Sequence, residues 1–174
     1  MDGATIIAGI PIPSTSPLFL AGVGVHVLLA VTCVLSGAAA MLSPKQPGRH
    51  PWFGSIYFWS LIGVFATTTA LAAARWPQDY PLFLLGALSL AAAALGRRAR
   101  RRQRPGWARR HITGMGLSYI VTLTAFYVDN GKNLPVWRDL PAIAYWIAPS
   151  LVGLPILVFA LLRHPLARTS STPR

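Results

Sequence analysis

The sequence predicts an all-α integral membrane protein, a bundle of five transmembrane helices with the N-terminus outside and the C-terminus in the cytoplasm. Three observations carry this reading. Of 174 residues, 53% are hydrophobic and 11% charged, less than half the charged share of an ordinary soluble domain, about 25%. The mean hydropathy is +0.50 although Lys and Arg outnumber Asp and Glu by 16 to 4, and that combination is too apolar for a solvated nucleic-acid-binding domain. The charges sit in a few short stretches, and the uncharged runs between them approach the ~20 residues a helix needs to cross a hydrocarbon core.

Taken in order, residues 1–17 read as an external tail, because Ala4 to Pro13 is too short to span, contains two prolines and lacks the basic start of a cleaved signal peptide. The first span runs from Leu18 to Leu42 without a charge and ends at Ser43-Pro44, where the missing proline donor stops a helix. The second covers about Gly54 to Ala74. Ahead of it stands Arg49-His50-Pro51, and the proline predicts that His50 lies outside the regular helix, in the headgroup zone. The third, about Pro81 to Gly96, is the shortest; it would rise only about 24 Å and leans on Tyr80 as an interfacial flank. The fourth spans about His111 to Val128 and the fifth about Ala142 to Leu162, with Pro149 and Pro155 inside it at positions able to bend it. Residues 18–162 thus read as one transmembrane domain and 163–174 as a basic cytoplasmic tail.

Loop charge tests this count, since positive loops stay on the cytoplasmic side. Lys45 and Arg49 fall in the first loop, eight arginines between Arg97 and Arg110 in the third, and Arg163, Arg168 and Arg174 in the tail. The opposite side receives Arg75, Lys132 and Arg138 together with every acid, Asp2, Asp79, Asp129 and Asp139. Removing the third span would place most of the arginine run beside Asp79 and spoil the separation. Trp76, Tyr80, Trp137, Tyr145 and Trp146 gather at the outer boundary and Trp52 and Trp107 at the inner one, where amphipathic rings anchor helices.

An ionisable side chain inside a span is a functional candidate, and His26 is the one well within a span, with Gly22 a turn before it and Ala30 a turn after. It reads either as an imidazole hydrogen-bonded to another helix or as a haem ligand, quinone contact or proton relay. His50, His111 and His164 map to the inner boundary, each beside an arginine. Of these, His50 and His111 stand at one level in the topology and are the candidate cofactor ligands, for haem b or a quinone. The competing reading makes them interfacial residues at helix starts. Arg49-His50 with Gly54 and Tyr57, and Arg110-His111 with Gly114, Gly116 and Tyr119, echo one another as a repeated helix start.

The arginine run, Arg97, Arg98, Arg100, Arg101, Arg102, Arg104, Arg109 and Arg110, is the candidate lipid-binding element. Beside a membrane such a cluster engages anionic lipid on the cytoplasmic face, each charge contributing about 1 kcal/mol. No nucleic-acid partner is expected, because one aromatic, Trp107, and no recognisable fold accompany the charges. The single cysteine, Cys33, rules out an internal disulfide, and two acids, Asp129 and Asp139, are too few for a cation site. No GxSxG, HExxH, Walker or GxGxxG motif occurs. No catalytic residue and no metal ligand is expected.

His26 with Gly37, Arg49-His50 with Gly54 and Tyr57, and the stretch His111-Ile-Thr-Gly-Met-Gly-Leu-Ser-Tyr119 resemble a family of small bacterial multi-pass membrane proteins without an assigned reaction. Leu123-Thr-Ala-Phe-Tyr-Val-Asp-Asn-Gly131, Leu134-Pro135, Tyr145-Trp146, Pro149 and Gly153-Leu-Pro155 are similar to the same group, over about residues 20 to 160. The resemblance implies a helical bundle in the bacterial cytoplasmic membrane.

Three classes of function follow from these residues. A non-catalytic accessory or binding subunit, with other membrane subunits as partners, fits the absence of motifs and the small-residue faces at Ser36 to Ala40 and Ala91 to Ala94. An electron-transfer protein holding haem b or quinone fits the histidines. A small transporter is third, with His26 as its one proton-relay candidate.

Overall fold

The structure, a computed structural model, describes residues 5–7, 10–12 and 16–164. Asp2, Arg168 and Arg174, and with them much of both terminal tails, lie outside the described residues. Five long helices dominate: α1 (Pro17–Leu42), α2 (Arg49–Ala74), α3 (Tyr80–Arg102), α4 (Trp107–Asn130) and α5 (Ala142–Arg163). All five are long and apolar enough to cross a membrane. Two three-residue strands, β1 (Thr5–Ile7) and β2 (Ile10–Ile12), pair antiparallel ahead of α1, a short ribbon in the segment read as a tail.

Apolar surface faces outward, the reverse of a water-soluble bundle. Leu18, Leu28, Leu35 and Leu42 of α1 are 64–87% exposed, and the buried side chains include many small or hydroxyl-bearing ones, Cys33, Ser89 and Ser118 among them, beside Tyr57 and Leu61. Lipid is as apolar as leucine, so helices gain more by bringing small residues together and pairing polar ones than by hiding large apolar groups.

The chain divides into two compact units, Met1–Phe83 and Leu84–Arg174. In the first, α1 and α2 form an antiparallel hairpin whose contacts recur turn by turn. Leu71 lies over Gly22 and Leu29 over Gly63; between these, the His26 ring meets Thr67. Nearer the connecting loop Cys33 faces the Tyr57 backbone. In the second unit, α3 packs on α4 where Gly114 lies against the backbone of Ala92 and Gly96. Helix α5 packs on the same α4 through reciprocal insertions, Leu157 over Gly116 and Ile120 over Gly153. Both prolines sit inside α5, which is assigned as one helix from Ala142 to Arg163.

Three boundaries differ from the sequence expectation, among them the start of α4, which lies at Trp107 and not at His111. Helix α3 does not stop at Gly96 but runs 23 residues to Arg102, a rise of about 34 Å. Arginine is a good helix former, and positive charge in the last turn complements the helix dipole, so the arginine run extends the helix instead of ending it. Most of the expected arginine loop is therefore helix, and only residues 103–106 connect α3 to α4. Likewise α2 begins at Arg49, so His50 lies within its first turn and not outside the helix. Pro51 is tolerated there because a first-turn N–H has no intrahelical acceptor to lose.

The two hairpins open their second helices in the same way. Pro47-Gly48 precedes α2 and Pro105-Gly106 precedes α4, and both glycines are N-caps at positive φ, +119° and +75°, a region a side chain at Cβ disfavours.

Candidate functional site

The residues singled out by sequence fall into three places. The first is inside the α1–α2 hairpin. His26 Nδ1 lies 2.8 Å from Thr67 Oγ1, and that hydroxyl is itself 2.9 Å from the carbonyls of Gly63 and Val64, one and nearly one turn back in its own helix. A threonine hydroxyl has one proton. With that proton on the helix carbonyls, the hydroxyl oxygen accepts and His26 donates from Nδ1. The result is a polar link between two spans, matching the hydrogen-bonded reading of this histidine.

The second place is the turn between α1 and α2. Pro44 carries no N–H, so the carbonyl of Ala40 loses the donor that a continuing helix would supply four residues on. His50 Nδ1 approaches that oxygen at 2.8 Å and Lys45 Nζ at 3.1 Å. Lys45 also donates to the carbonyls of Met41 and Ser43, and the Ser43 hydroxyl donates to Ala39 at 2.6 Å. Partial burial lowers the Lys45 pKa from its ordinary value. His50 thus reaches back from the start of one helix to the end of the previous one.

The third place is the α3–α4 pair. His111 repeats the motif of His50, its Nδ1 lying 3.0 Å from the carbonyl of Gly96. His50 belongs to the first unit and His111 to the second, each anchored within its own hairpin. Among the described residues no three His, Cys, Asp or Glu side chains gather into a group able to hold a metal ion.

The eight arginines separate into distinct environments. Arg98, Arg102, Arg104, Arg109 and Arg110 line an open groove of about 620 Å³ on α3 and α4, floored by apolar residues and by Gly114. Arg100 instead stacks on Trp107, its guanidinium carbon 4.9 Å from the ring centroid. Arg97 and Arg101 do not line the groove.

Sequence reasoning missed the hydroxyl cluster of the second unit. Ser89 Oγ lies 2.9 Å from the Ser118 carbonyl, 3.1 Å from the Ser118 hydroxyl and 2.7 Å from the Thr122 hydroxyl, while Thr122 also donates to the Ser118 carbonyl. A signal for it was present. Leu35-Ser-Gly-Ala-Ala-Ala-Met-Leu42 and Leu88-Ser-Leu-Ala-Ala-Ala-Ala-Leu95 are one pattern written twice, and in each copy the serine and the alanine four residues later are buried. Ser36, Ala40, Ser89 and Ala93 are thus buried within the chain itself, while Ala91 and Ala94 of the second small-residue face stay exposed. Tyr145 likewise is a buried strut and not a boundary anchor. Its ring packs on Gly131 and its hydroxyl donates to the Trp137 carbonyl at 3.1 Å.

Comparison with protein-family profiles, with curated proteins and with solved structures returned no match to this chain.

Proposed function

We propose that the protein is a non-catalytic accessory or binding subunit of a membrane complex, held in a bacterial cytoplasmic membrane with its N-terminus outside and its arginine-bearing ends in the cytoplasm. One observation carries the reading. The polar side chains inside the spans that chemistry would need, His26 with Thr67 and Ser89 with Ser118 and Thr122, form bonds that tie helix to helix. Intramembrane polar groups are the usual equipment of pumps and electron carriers; used as helix ties, they build a scaffold. The outward apolar faces then offer surface for lipid and for other membrane subunits.

The test is extraction of the chain from its own membrane in polymer-bounded nanodiscs, followed by mass measurement and a visible spectrum. A colourless assembly with a second polypeptide in fixed ratio is the expected outcome. A chain that comes out alone, or with a stoichiometric chromophore, overturns the proposal.

A second reading, electron transfer through haem b or a quinone, is favoured by one feature. The Nδ1 atoms of His50 and His111 both lie against backbone carbonyl oxygens, the kind of second-shell contact that orients a metal-bound histidine. A Soret band lost in His111→Ala would establish it.

A further inference from the structure

We propose that the groove at the arginine-bearing ends of α3 and α4 is a discrete site for one phospholipid with two phosphates, of the diphosphatidylglycerol type, and not a stretch of diffuse positive surface. The inference does not depend on the accessory-subunit reading. It starts from the division among the arginines, since five line one groove of about 620 Å³ and three do not.

The groove has the polarity of an amphiphile. Along α3 the apolar Leu95 comes before Arg98 and Arg102, and along α4 Arg109 and Arg110 come before Leu117, so charge gathers at the ends of both helices and apolar surface continues into the spans. A free phosphate would use only the charged end. A phosphodiester carrying acyl chains uses both. The missing side chain of Gly114 lets the α3 backbone close directly onto α4, so the two helices line the groove together.

The charge argues for two phosphates. Arg98 and Arg102 stand one turn apart on α3, Arg109 and Arg110 stand together on α4, and Arg104 belongs to the turn between them. Two pairs of guanidinium forks on two helices suit two phosphates, each taken by paired N–H donors. The carboxylate ion pairs Arg75–Asp79 and Arg138–Asp139 involve none of the groove arginines, and among the described residues no acid lines the groove. The Arg100–Trp107 stack fastens the end of α3 to the start of α4 and holds the groove in shape without ligand. Basic pockets between helices on the cytoplasmic side are a known chemistry for such headgroups.

The experiment is native mass spectrometry of the full chain released from detergent containing diphosphatidylglycerol, phosphatidylglycerol or phosphatidylcholine, with inorganic phosphate as a separate arm. Wild type should retain one diphosphatidylglycerol at least tenfold more strongly than either other lipid, and phosphate at millimolar concentration should not displace it. Replacing Arg98, Arg102 and Arg109 with glutamine should reduce retention tenfold or more. The charge-matched set Arg49, Arg101 and Arg163 to glutamine should change it less than twofold. Equal loss in both sets means diffuse charge and overturns the site. Equal retention of phosphatidylglycerol overturns the two-phosphate claim, and displacement by phosphate overturns a lipid occupant. On the unsubstituted chain, a rise in unfolding temperature with diphosphatidylglycerol and none with phosphatidylglycerol reads the same selectivity without a variant; its absence counts against the site.

Discussion

His50 Nδ1 lies 2.8 Å from the carbonyl oxygen of Ala40, whose helical donor would have come from Pro44. A histidine that looked like a cofactor ligand is here placed to satisfy a carbonyl left open by a proline. The relation makes a coupling prediction. His50→Ala should destabilise the chain by about 1 kcal/mol, the ordinary worth of such a bond. In a Pro44→Ala background, where residue 44 regains an N–H and α1 can extend, the same substitution should cost clearly less. Thermal unfolding of the four combinations in detergent measures the coupling, and strictly additive losses would refute it.

Lys45 supplies a pH dependence at the same turn. Burial lowers its pKa from the ordinary 10.5, so in the folded chain it releases its proton at a lower pH than in the unfolded one. Between the two values the unfolded state binds more protons, and stability therefore rises with pH as the ordinary value is approached from below. Lys45→Met should flatten the unfolding-temperature profile in the window just under 10.5. The same slope in wild type and variant would assign the effect to another group.

The glycines of the second unit are not interchangeable with alanine. A Cβ on Gly114 would stand 2.7 Å from the Ala92 carbonyl oxygen and 2.8 Å from the Gly96 backbone, with no flexible side chain to yield. Helices α3 and α4 would have to separate, and the expected loss is at or above the ~3 kcal/mol end of overpacking costs. A Cβ on Gly24 meets nothing within 4 Å, so Gly24→Ala should change stability by less than about 1 kcal/mol. Denaturation of the two variants side by side should separate them widely.

The five spans are legible in the sequence because a charge-free run is one-dimensional information, and α1 and α5 end within a residue of where charge and proline place them. What is not legible is where a helix continues past the membrane. The charge at Arg97 ends an apolar run, yet the backbone of α3 is satisfied as well by arginine as by leucine and continues to Arg102. Contacts between helices are hidden for a different reason. Ser89 and Ser118 are 29 residues apart, and single hydroxyls in spans carry no sign of which helix they will meet. Only the doubled octet around Ser36 and Ser89 marks those serines as facing inward. The histidines stand out in the sequence, but residue type alone does not separate a tie between helices from a ligand, because both need an imidazole inside or beside a span.

For His26 and Thr67 a double-mutant cycle distinguishes those roles. An interhelical tie in a membrane averages about 0.6 kcal/mol and reaches about 1.7. His26→Phe and Thr67→Val should each cost stability in that range and the pair should cost less than their sum, since either change removes the same 2.8 Å contact. Complete additivity, or a large loss from His26→Phe alone, would point to a partner for His26 other than Thr67.

The topology can be decided with reporters, and the length of α3 makes the outcome sharp. Helix α3 is long and apolar enough to be one of five spans, and five crossings would put the two termini on opposite sides. Lys45, Arg49 and all eight arginines from Arg97 to Arg110 then share one side with Arg163. Positive charge in short connections is what keeps a side cytoplasmic, and Asp79, Asp129 and Asp139 opposite them add little in either direction. A fluorescent protein fused after Arg174 should therefore light up in the cytoplasm, and alkaline phosphatase should be active when inserted between Lys132 and Asn133 but not between Gln103 and Arg104. Replacing Arg97, Arg98, Arg100, Arg101 and Arg102 with glutamine removes the strongest of these determinants, and a fraction of molecules should then insert inverted, with phosphatase activity appearing at residue 103. Activity at both insertion points in the unsubstituted chain would mean that α3 does not cross and that the charge segregation has another cause.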